Sequence, residues 1–374
     1  MLDTDLESYR IDNADEVDSP SLLVYEERID QNLRRMVEDA GGAERLCPHV
    51  KTHKLPQVIA KQVALGVTKF KAATIAEAEM CASAGAPNVL LAHAPVGPRA
   101  ERLVALSQAF PKTAFAALVD EEGVARHLAT TASRAGITLD ALIDLDCGMH
   151  RTGIAPGVDA ERLYRLISDL PGVRAAGLHA YDGHIHDTDL AARRARSVEA
   201  MTPVLALRDK LRTDGMAVPR LVAGGTPTFP ILAARGDVEC SPGTSVLWDW
   251  GYASTLPDLD YAIAAALLTR VTSRPASNRL CLDLGHKSIG SEMPQPRALL
   301  LGPDHRHAKL VGHSEEHLVV ETPRAADLSP GTAVYALPWH ICPTINLHSE
   351  VVVVRNRRAA DRWPVLARAR RISV

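Results

Sequence analysis

The sequence has no run of about 18 apolar residues, the length a membrane span requires, so a transmembrane helix is excluded. It has no CxxC pair. Cys47, Cys81, Cys147, Cys240, Cys281 and Cys342 stand singly, which argues against a disulfide framework and makes reduced thiols in a cytoplasmic protein the expected state. An excess of one charge is also missing: 42 Lys and Arg face 45 Asp and Glu, for a formal net charge of −3. A nucleic-acid binder would carry a basic face and a high pI, so no such partner is expected. The first residues, Met1 to Glu7, are acidic and carry no apolar stretch, and no secretory signal is expected from them. There is neither a fixed repeat period nor a low-complexity segment. What is present is ordinary globular usage, 46% hydrophobic and 23% charged over 374 residues. That is enough chain for one large domain or two ordinary ones, with most of the unfolded surface buried.

Along the first two thirds, short apolar or β-branched runs alternate with Ala-, Arg- and Glu-rich stretches of helical spacing. The expected strands are 47–51, 69–73, 88–92, 114–119, 140–145, 175–180, 219–223 and 238–241. Between them lie amphipathic segments at 54–65, 75–84, 98–109, 121–135, 158–169 and 188–214. In the second of these, Ala76, Ala78, Met80, Cys81 and Ala82 mark an Ala-rich packing helix. Strand–helix alternation implies a parallel sheet. Eight strands is the number that closes a barrel. An open doubly wound sheet would want a glycine-rich loop after its first strand. Residues 47–54 (CPHVKTHK) contain no glycine, so a (β/α)8 barrel is favoured. After about residue 250 the helical patterns fade. Strand-like runs at 263–272, 279–284, 297–301, 308–311, 317–321, 333–337 and 350–355 alternate with turns such as Gly302-Pro303-Asp304 and Ser329-Pro330-Gly331. The expected organisation is an α/β barrel over 26–250 and an all-β domain over 251–374. That domain is made discontinuous by residues 1–25, whose run 20–25 (PSLLVY) reads as a strand pairing with it.

Lys51 ends the first expected strand, and strand C-terminal ends point into the active site of such a barrel. A lysine at an apolar barrel mouth loses its proton readily, which suits a Schiff-base lysine. By itself it reads more readily as a surface lysine in a polar loop. Two loops add weight: Gly224-Gly225-Thr226 after the seventh strand and Gly243-Thr244 after the eighth. Barrel enzymes bind phosphate there, and glycines let backbone N–H groups approach an anion. The combination points to a phosphorylated carbonyl cofactor, and pyridoxal 5′-phosphate fits. Arg151, with its fixed fork of donors, suits a phenolate oxygen or, alternatively, an ion pair with Asp144 or Asp146. Tyr181 reads either as a cofactor neighbour or as a core tyrosine. His340 and Cys342 are spaced to face one side of an extended strand, and imidazole with thiolate is a pair suited to zinc; the alternative is two buried core side chains. His53 is a candidate base, as are Glu316 and His317, which read equally as solvated.

Pro48-His49-Val50-Lys51-Thr52-His53-Lys54 resembles the cofactor-lysine motif of the D-threonine aldolase and D-serine dehydratase group, fold-type III pyridoxal-phosphate enzymes related to alanine racemase. The resemblance extends through Asp144–Gly153, the Gly224–Thr226 loop and Pro338–Thr344, and so over nearly the whole chain. It implies that Lys51 holds the cofactor, that Arg151 lies near its ring oxygen and Tyr181 near its ring, and that Gly225, Thr226, Gly243 and Thr244 hold its phosphate. It also implies a divalent metal at His340 and Cys342, with the thiol favouring zinc over manganese or magnesium, and a homodimer. Aldolases of the group tend to carry Asp where this chain has Cys342, whereas dehydratases carry Cys; the flanking Pro343–His348 looks aldolase-like. The activity expected first is cleavage of a D-β-hydroxy amino acid to glycine and an aldehyde. Dehydration of D-serine or 3-hydroxy-D-aspartate to a 2-oxo acid and ammonia comes second. A non-catalytic pyridoxal-phosphate carrier is the reading of another class, and the β domain with its His–Cys pair counts against it.

Overall fold

In the computed structural model, which describes residues 5–302 and 308–374, the alternation read from the sequence becomes a parallel barrel in one unit and a β-sheet in another. The expected turn Gly302-Pro303-Asp304 lies partly outside the described residues. The chain divides into Met36–Gly243 with Ala369–Val374, and Met1–Arg35 with Thr244–Arg368. The expected divisions after 25 and 250 therefore move to 35/36 and 243/244. The chain's last six residues return to the barrel unit, because the buried carboxylate of Glu79 accepts the Ser373 N–H at 2.9 Å and the Val374 N–H at 3.3 Å.

The sheet unit begins with β1 (Ser21–Tyr25) and the helix α1 (Glu26–Ala40) that leaves it. In the barrel unit the strands are β2 (Lys69–Ala72), β3 (Asn88–Leu91), β4 (Ala114–Val119), β5 (Leu139–Leu145), β6 (Val173–Ala180), β7 (Arg220–Ala223) and β8 (Glu239–Cys240), hydrogen-bonded in that order and parallel. The segment around Pro48 closes the ring. Leu46 bridges Cys240, and His49 bridges Lys71, both parallel. Pro48 has no N–H to give a ladder, so this eighth stave holds by isolated bridges instead of a continuous strand. Inside the cylinder Cys47, Leu90, Ala116, Leu118, Leu142, Ala176 and Val222 pack as one buried cluster. The helices α2 (Pro56–Ala64), α3 (Ile75–Ser83), α4 (Arg99–Ala109), α5 (Glu122–Arg134), α6 (Val158–Asp169), α7 (Leu190–Thr213) and α8 (Phe229–Ala233) fall between the strands. The first six match the amphipathic segments. The Ala-rich α3 is buried from Ile75 through Ala82, and Thr74 caps it by accepting the Glu77 N–H at 3.1 Å.

In the other unit β1 lies between β9 (Ala265–Ala276), antiparallel, and β15 (Glu350–Arg355), parallel. Thus the first strand does join the C-terminal sheet. The remaining members are β10 (Arg279–Leu282), β11 (Ala298–Leu300), β12 (Lys309–His313), β13 (Leu318–Glu321), β14 (Ala333–Pro338) and β16 (Arg358–Pro364). The short helix α9 (Trp250–Thr255) opens this part of the chain. β16 has no apolar alternation, because it pairs only with β15 and buries only Trp363. One expectation is corrected: extended backbone ends at His340, and 341–342 are helical. The strand stops at Pro338, His340 caps a helix, α10 (Ile341–Leu347), and Cys342 lies in its first turn. Among the described residues no helix is long and apolar enough to cross a membrane.

Leu142 is fully buried inside the barrel. Leu142→Ala is expected to destabilise the fold by about 2–5 kcal/mol through the cavity it leaves, measured as a lowered unfolding midpoint in denaturant.

Candidate active site

The C-terminal ends of the barrel strands surround a cavity of about 470 Å³. The closing segment contributes His49 and Lys51; β2 contributes Lys71, and the turn after β3 contributes His93. Asp144 and Arg151 come from β5 and its exit, His179 and Tyr181 from β6 and its exit. The Lys51 side chain is exposed at this cavity, and its backbone N–H donates to His49 Nδ1 at 3.4 Å. Burial, and then the charges of Lys71 and Lys51, push the His49 imidazole well below its usual pKa, so it is neutral.

Arg151 is exposed at the cavity, with its guanidinium carbon 5.0 Å from the Tyr181 ring centroid. The ion pair with Asp144 or Asp146 that the sequence left open does not form, because both carboxylates are engaged. Asp144 Oδ1 accepts from His179 Nδ1 at 2.7 Å and Oδ2 from the Thr152 hydroxyl at 2.9 Å. Burial works against the charge of Asp144, but these bonds outweigh it and hold its pKa below the usual value. Asp146 accepts from the backbone N–H groups of Gly148 and His150, at 2.9 and 3.0 Å, and pairs with the His150 ring at 2.8 Å. Tyr181 is half-buried against the cavity and is not a core tyrosine.

The two glycine loops meet. The Gly243 N–H donates to Thr226 Oγ1 at 3.1 Å. Gly224 has φ +81°, a left-handed conformation that glycine takes without strain. A Cβ on Gly225 would lie 3.2 Å from the Tyr181 ring, and one on Gly243 would lie 3.1 Å from His49 O. Ser241 Oγ, between these loops in sequence, is buried without a hydrogen-bond partner among the described residues. This cradle of backbone donors and hydroxyls, with an exposed lysine and a permanent cation facing an aromatic ring, fits a phosphorylated pyridoxal.

In the sheet unit His340 and Cys342 do come together, through the first turn of α10 instead of along a strand. Cys342 hydrogen-bonds the imidazole, and Cys342 Sγ lies 3.5 Å from the Thr244 hydroxyl. His340 Nδ1 is 2.6 Å from Glu292 Oε1. Burial disfavours the imidazolium, but Cys342, Asp249 and Glu292 outweigh it and raise the His340 pKa to about 9. Asp249, which the sequence reading passed over, is buried with its pKa raised to about 7 by desolvation, and it accepts from the Ile341 N–H at 3.0 Å. It therefore anchors the segment that carries both donors. Among the described residues no group of three or more His, Cys, Asp or Glu converges to hold a metal ion. The site offers one imidazole and one thiol, a borderline-soft donor pair that suits zinc.

Three expected bases fare differently. His53 is 1% exposed, does not line the cavity, and its Nδ1 accepts the Leu55 N–H at 3.1 Å. Burial lowers its pKa to about 3. Glu316 pairs on the surface with Lys287 at 2.9 Å, and His317 is exposed. Sequence reasoning missed Lys71, which is 1% exposed with Nζ 3.4 Å from His179 Nε2. Its signal was a lysine in strand register between Phe70 and Ala72, on the alternate positions that face the barrel interior.

Comparison with known proteins agrees with this geometry. Residues 24–247 match the model of the alanine racemase N-terminal domain, and residues 264–354 that of a putative serine dehydratase domain. A D-threonine aldolase from Arthrobacter is 31% identical over 94% of this chain and 93% of its own. The crystal structure of a D-threonine aldolase from Filomicrobium marinum superposes with a TM-score of 0.86 at 29% identity, covering 96% of this chain and 97% of the other. A D-threo-3-hydroxyaspartate dehydratase variant in its metal-free form shares the fold, with a TM-score of 0.82 at 22% identity over 95% and 99% of the two chains. By these matches and by its cavity, the chain belongs to the D-threonine aldolase and D-serine dehydratase family, pyridoxal-phosphate-dependent lyases whose N-terminal barrel is that of alanine racemase.

Proposed function

We propose that this lyase is a D-threonine aldolase-like enzyme that cleaves D-β-hydroxy amino acids to glycine and an aldehyde. The observation that carries the reading is the exposed Lys51 in a cavity walled by Arg151 and Tyr181. Gly243 and Thr226, joined by a hydrogen bond, belong to the same unit as Lys51. Lys51 is the covalent anchor of pyridoxal 5′-phosphate; Gly225, Thr226, Gly243 and Thr244 hold its phosphate. His340 and Cys342 hold a divalent metal, zinc by donor chemistry. Bound there, pyridoxal phosphate supplies an electron sink for charge at Cα and the metal a Lewis acid for the β-hydroxyl.

The chain's own groups do the rest. Arg151 keeps a permanent positive charge at the cavity wall, because Asp144 and Asp146 are committed to other donors. Tyr181 gives a flat face for an aromatic ring. A proton leaving the β-hydroxyl is accepted by a neutral imidazole lining the cavity, His49 or His93, and not by the enclosed His53. Lys51 would supply the proton that Cα takes up once the Cα–Cβ bond breaks, and in the second reading would remove the proton at Cα. Cys342, in place of a carboxylate, favours the second reading, dehydration to a 2-oxo acid and ammonia, since the resemblance places Cys at this position in dehydratases.

Product analysis with D-threonine, D-serine and 3-hydroxy-D-aspartate separates the two. Glycine with an aldehyde is expected; ammonia with a 2-oxo acid in its place replaces the first reading by the second. Lys51→Ala should abolish the absorbance of the bound cofactor near the visible edge, and retained absorbance removes the lysine assignment. Excess chelator should abolish turnover and Cys342→Ala should weaken metal binding, measured by metal content after dialysis; full activity in chelator takes the metal out of the mechanism.

His53→Asn keeps an acceptor for the Leu55 N–H and should retain turnover. It should also alter acid stability. The buried imidazole has a folded pKa of about 3 against 6.5 for the free group. Its contribution is thus fully present above pH 6.5 and is lost as the pH falls toward 3, at up to about 1.4 kcal/mol per pH unit. Denaturant titrations should give the Asn variant a shallower decline across that window; equal slopes would show that His53 is not proton-linked to folding.

A further inference from the structure

The sheet unit holds a cation that none of the chemistry above uses. Arg297 immediately precedes β11 and is half-buried. Its Nε–H donates to Met293 O at 2.7 Å. Its Nη1 lies 3.3 Å from His286 Nδ1 and 3.3 Å from His313 Nδ1. A guanidinium has donors and no acceptor, so both imidazoles accept at Nδ1. His313 is held in that role from its other side, where Nε2–H donates to Leu284 O at 3.1 Å. Burial, then the neighbouring His286 and Arg297, lower the His313 pKa to about 4. Both rings are half-buried, and their centroids are 4.2 Å apart.

Nε and Nη1 are thereby committed, and Nη2 has no partner among the described residues. No carboxylate among those residues pairs with this guanidinium. The acids of the neighbouring segments are engaged elsewhere: Glu292 with His340 at 2.6 Å, and Glu315 and Glu316 with Lys287 at 3.0 and 2.9 Å. A half-buried charge held only by two imidazoles and a carbonyl is costly until an anion completes it. Arginine, with donors in a planar fork, suits a carboxylate.

The cluster adjoins the proposed metal donors within one unit. The Trp339 N–H donates to Arg297 O at 2.8 Å, and His340 is the next residue. On the other side Glu292, which holds His340 Nδ1, is followed by Met293, whose carbonyl holds Arg297 Nε. One short segment, 292–297, thus ties the imidazole of the metal pair to the guanidinium. In a 3-hydroxyaspartate the side-chain carboxylate and the hydroxyl share one carbon. The group that binds that carboxylate must therefore adjoin the group that binds the hydroxyl.

We propose that Arg297, oriented by His286 and His313, binds a carboxylate borne on Cβ, so that the favoured substrates are 3-hydroxy-D-aspartates and not β-alkyl D-amino acids such as D-threonine. The inference rests on the proposed reading in which His340 and Cys342 hold the metal that meets the β-hydroxyl.

The test uses the full chain loaded with zinc and pyridoxal 5′-phosphate. The native protein should have the higher kcat/KM on 3-hydroxy-D-aspartate. Arg297→Met should lower that value by about tenfold to a hundredfold more than the value for D-threonine. Equal losses on the two substrates, or no loss, overturn the proposal. Malate and 3-hydroxybutyrate are the same two substrates without their amines, so neither condenses with an aldehyde. In calorimetric titrations the Met variant should lose affinity for malate more than for 3-hydroxybutyrate, and a like response to both overturns the proposal. Arg297→Gln provides the same comparisons if the Met variant does not fold. Full activity of the native protein in excess chelator removes the metal reading, and the inference with it, whatever the substrate ratio of the variants.

Discussion

Two backbone hydrogen bonds, Cys47 N–H to Cys240 O at 2.8 Å and Lys71 N–H to Pro48 O at 2.9 Å, bring the two ends of a seven-stranded parallel sheet onto one short segment. A parallel sheet left open would expose a row of unpaired groups at each edge; here residues 46–50 satisfy both. The closure also fixes the chemistry. His49 and Lys51 follow directly from the bridged residues, so the end of the closing stave, the end of β2 and the loops after β7 and β8 become neighbours. The Gly243 N–H reaches Thr226 Oγ1 because β7 and β8, which precede these loops, pair directly.

Within that ring the carboxylates and cations are sorted. The carboxylates lining the cavity are engaged by nearby donors: Asp144 by His179 and Thr152, Asp146 by Gly148 and His150, and Asp120 by the Gly153 N–H. The cations are treated differently. Arg151 faces an aromatic ring instead of an anion, and Lys71 donates to a neutral imidazole instead of a carboxylate. Saturating the acids locally leaves the positive charges facing the cavity, the electrostatic condition for holding a group that carries a phosphate and a phenolate.

Much of this was legible in the sequence because most of the barrel's elements follow simple periodicities. The Ala-rich run at 75–84 is buried almost all round, and the strand at 114–119 is apolar almost throughout because both of its faces are covered. The site was legible in its placement, where strand order dictates it: Lys51 lines the cavity at the end of the closing segment, and the glycine loops after β7 and β8 meet. It was not legible where the role comes from packing. His53 and Lys51 are two residues apart and look equally polar, yet one is enclosed, its Nδ1 taking the Leu55 N–H, and the other opens to the cavity. Lys71 looks like a surface charge until the strand's register turns it inward. The extended reading of 340–342 failed because Pro338 ends β14 two residues early. Asp249 then takes the Ile341 N–H, a tertiary contact that no local pattern announces.

The division of labour along the chain explains why the reaction type is harder to read than the cofactor. The racemase-type match ends at residue 247 and the dehydratase-type match begins at 264. The residues proposed for the cofactor lie between 51 and 244, whereas the proposed metal donors lie at 340 and 342, beyond that seam. Pyridoxal phosphate, and not the barrel, supplies the stabilisation of charge at Cα; neither decides which bond at Cα or Cβ breaks. That decision rests with the groups that handle the β-hydroxyl; the groups proposed for it here are the Cys342 thiol and the His340 imidazole, whose charge Cys342, then Asp249 and Glu292, favour against burial. Exchanging a carboxylate for a thiol leaves the electron sink untouched while changing the softness and charge of the Lewis-acid site, so a lyase of this fold can move between carbon–carbon and carbon–oxygen cleavage without altering its barrel.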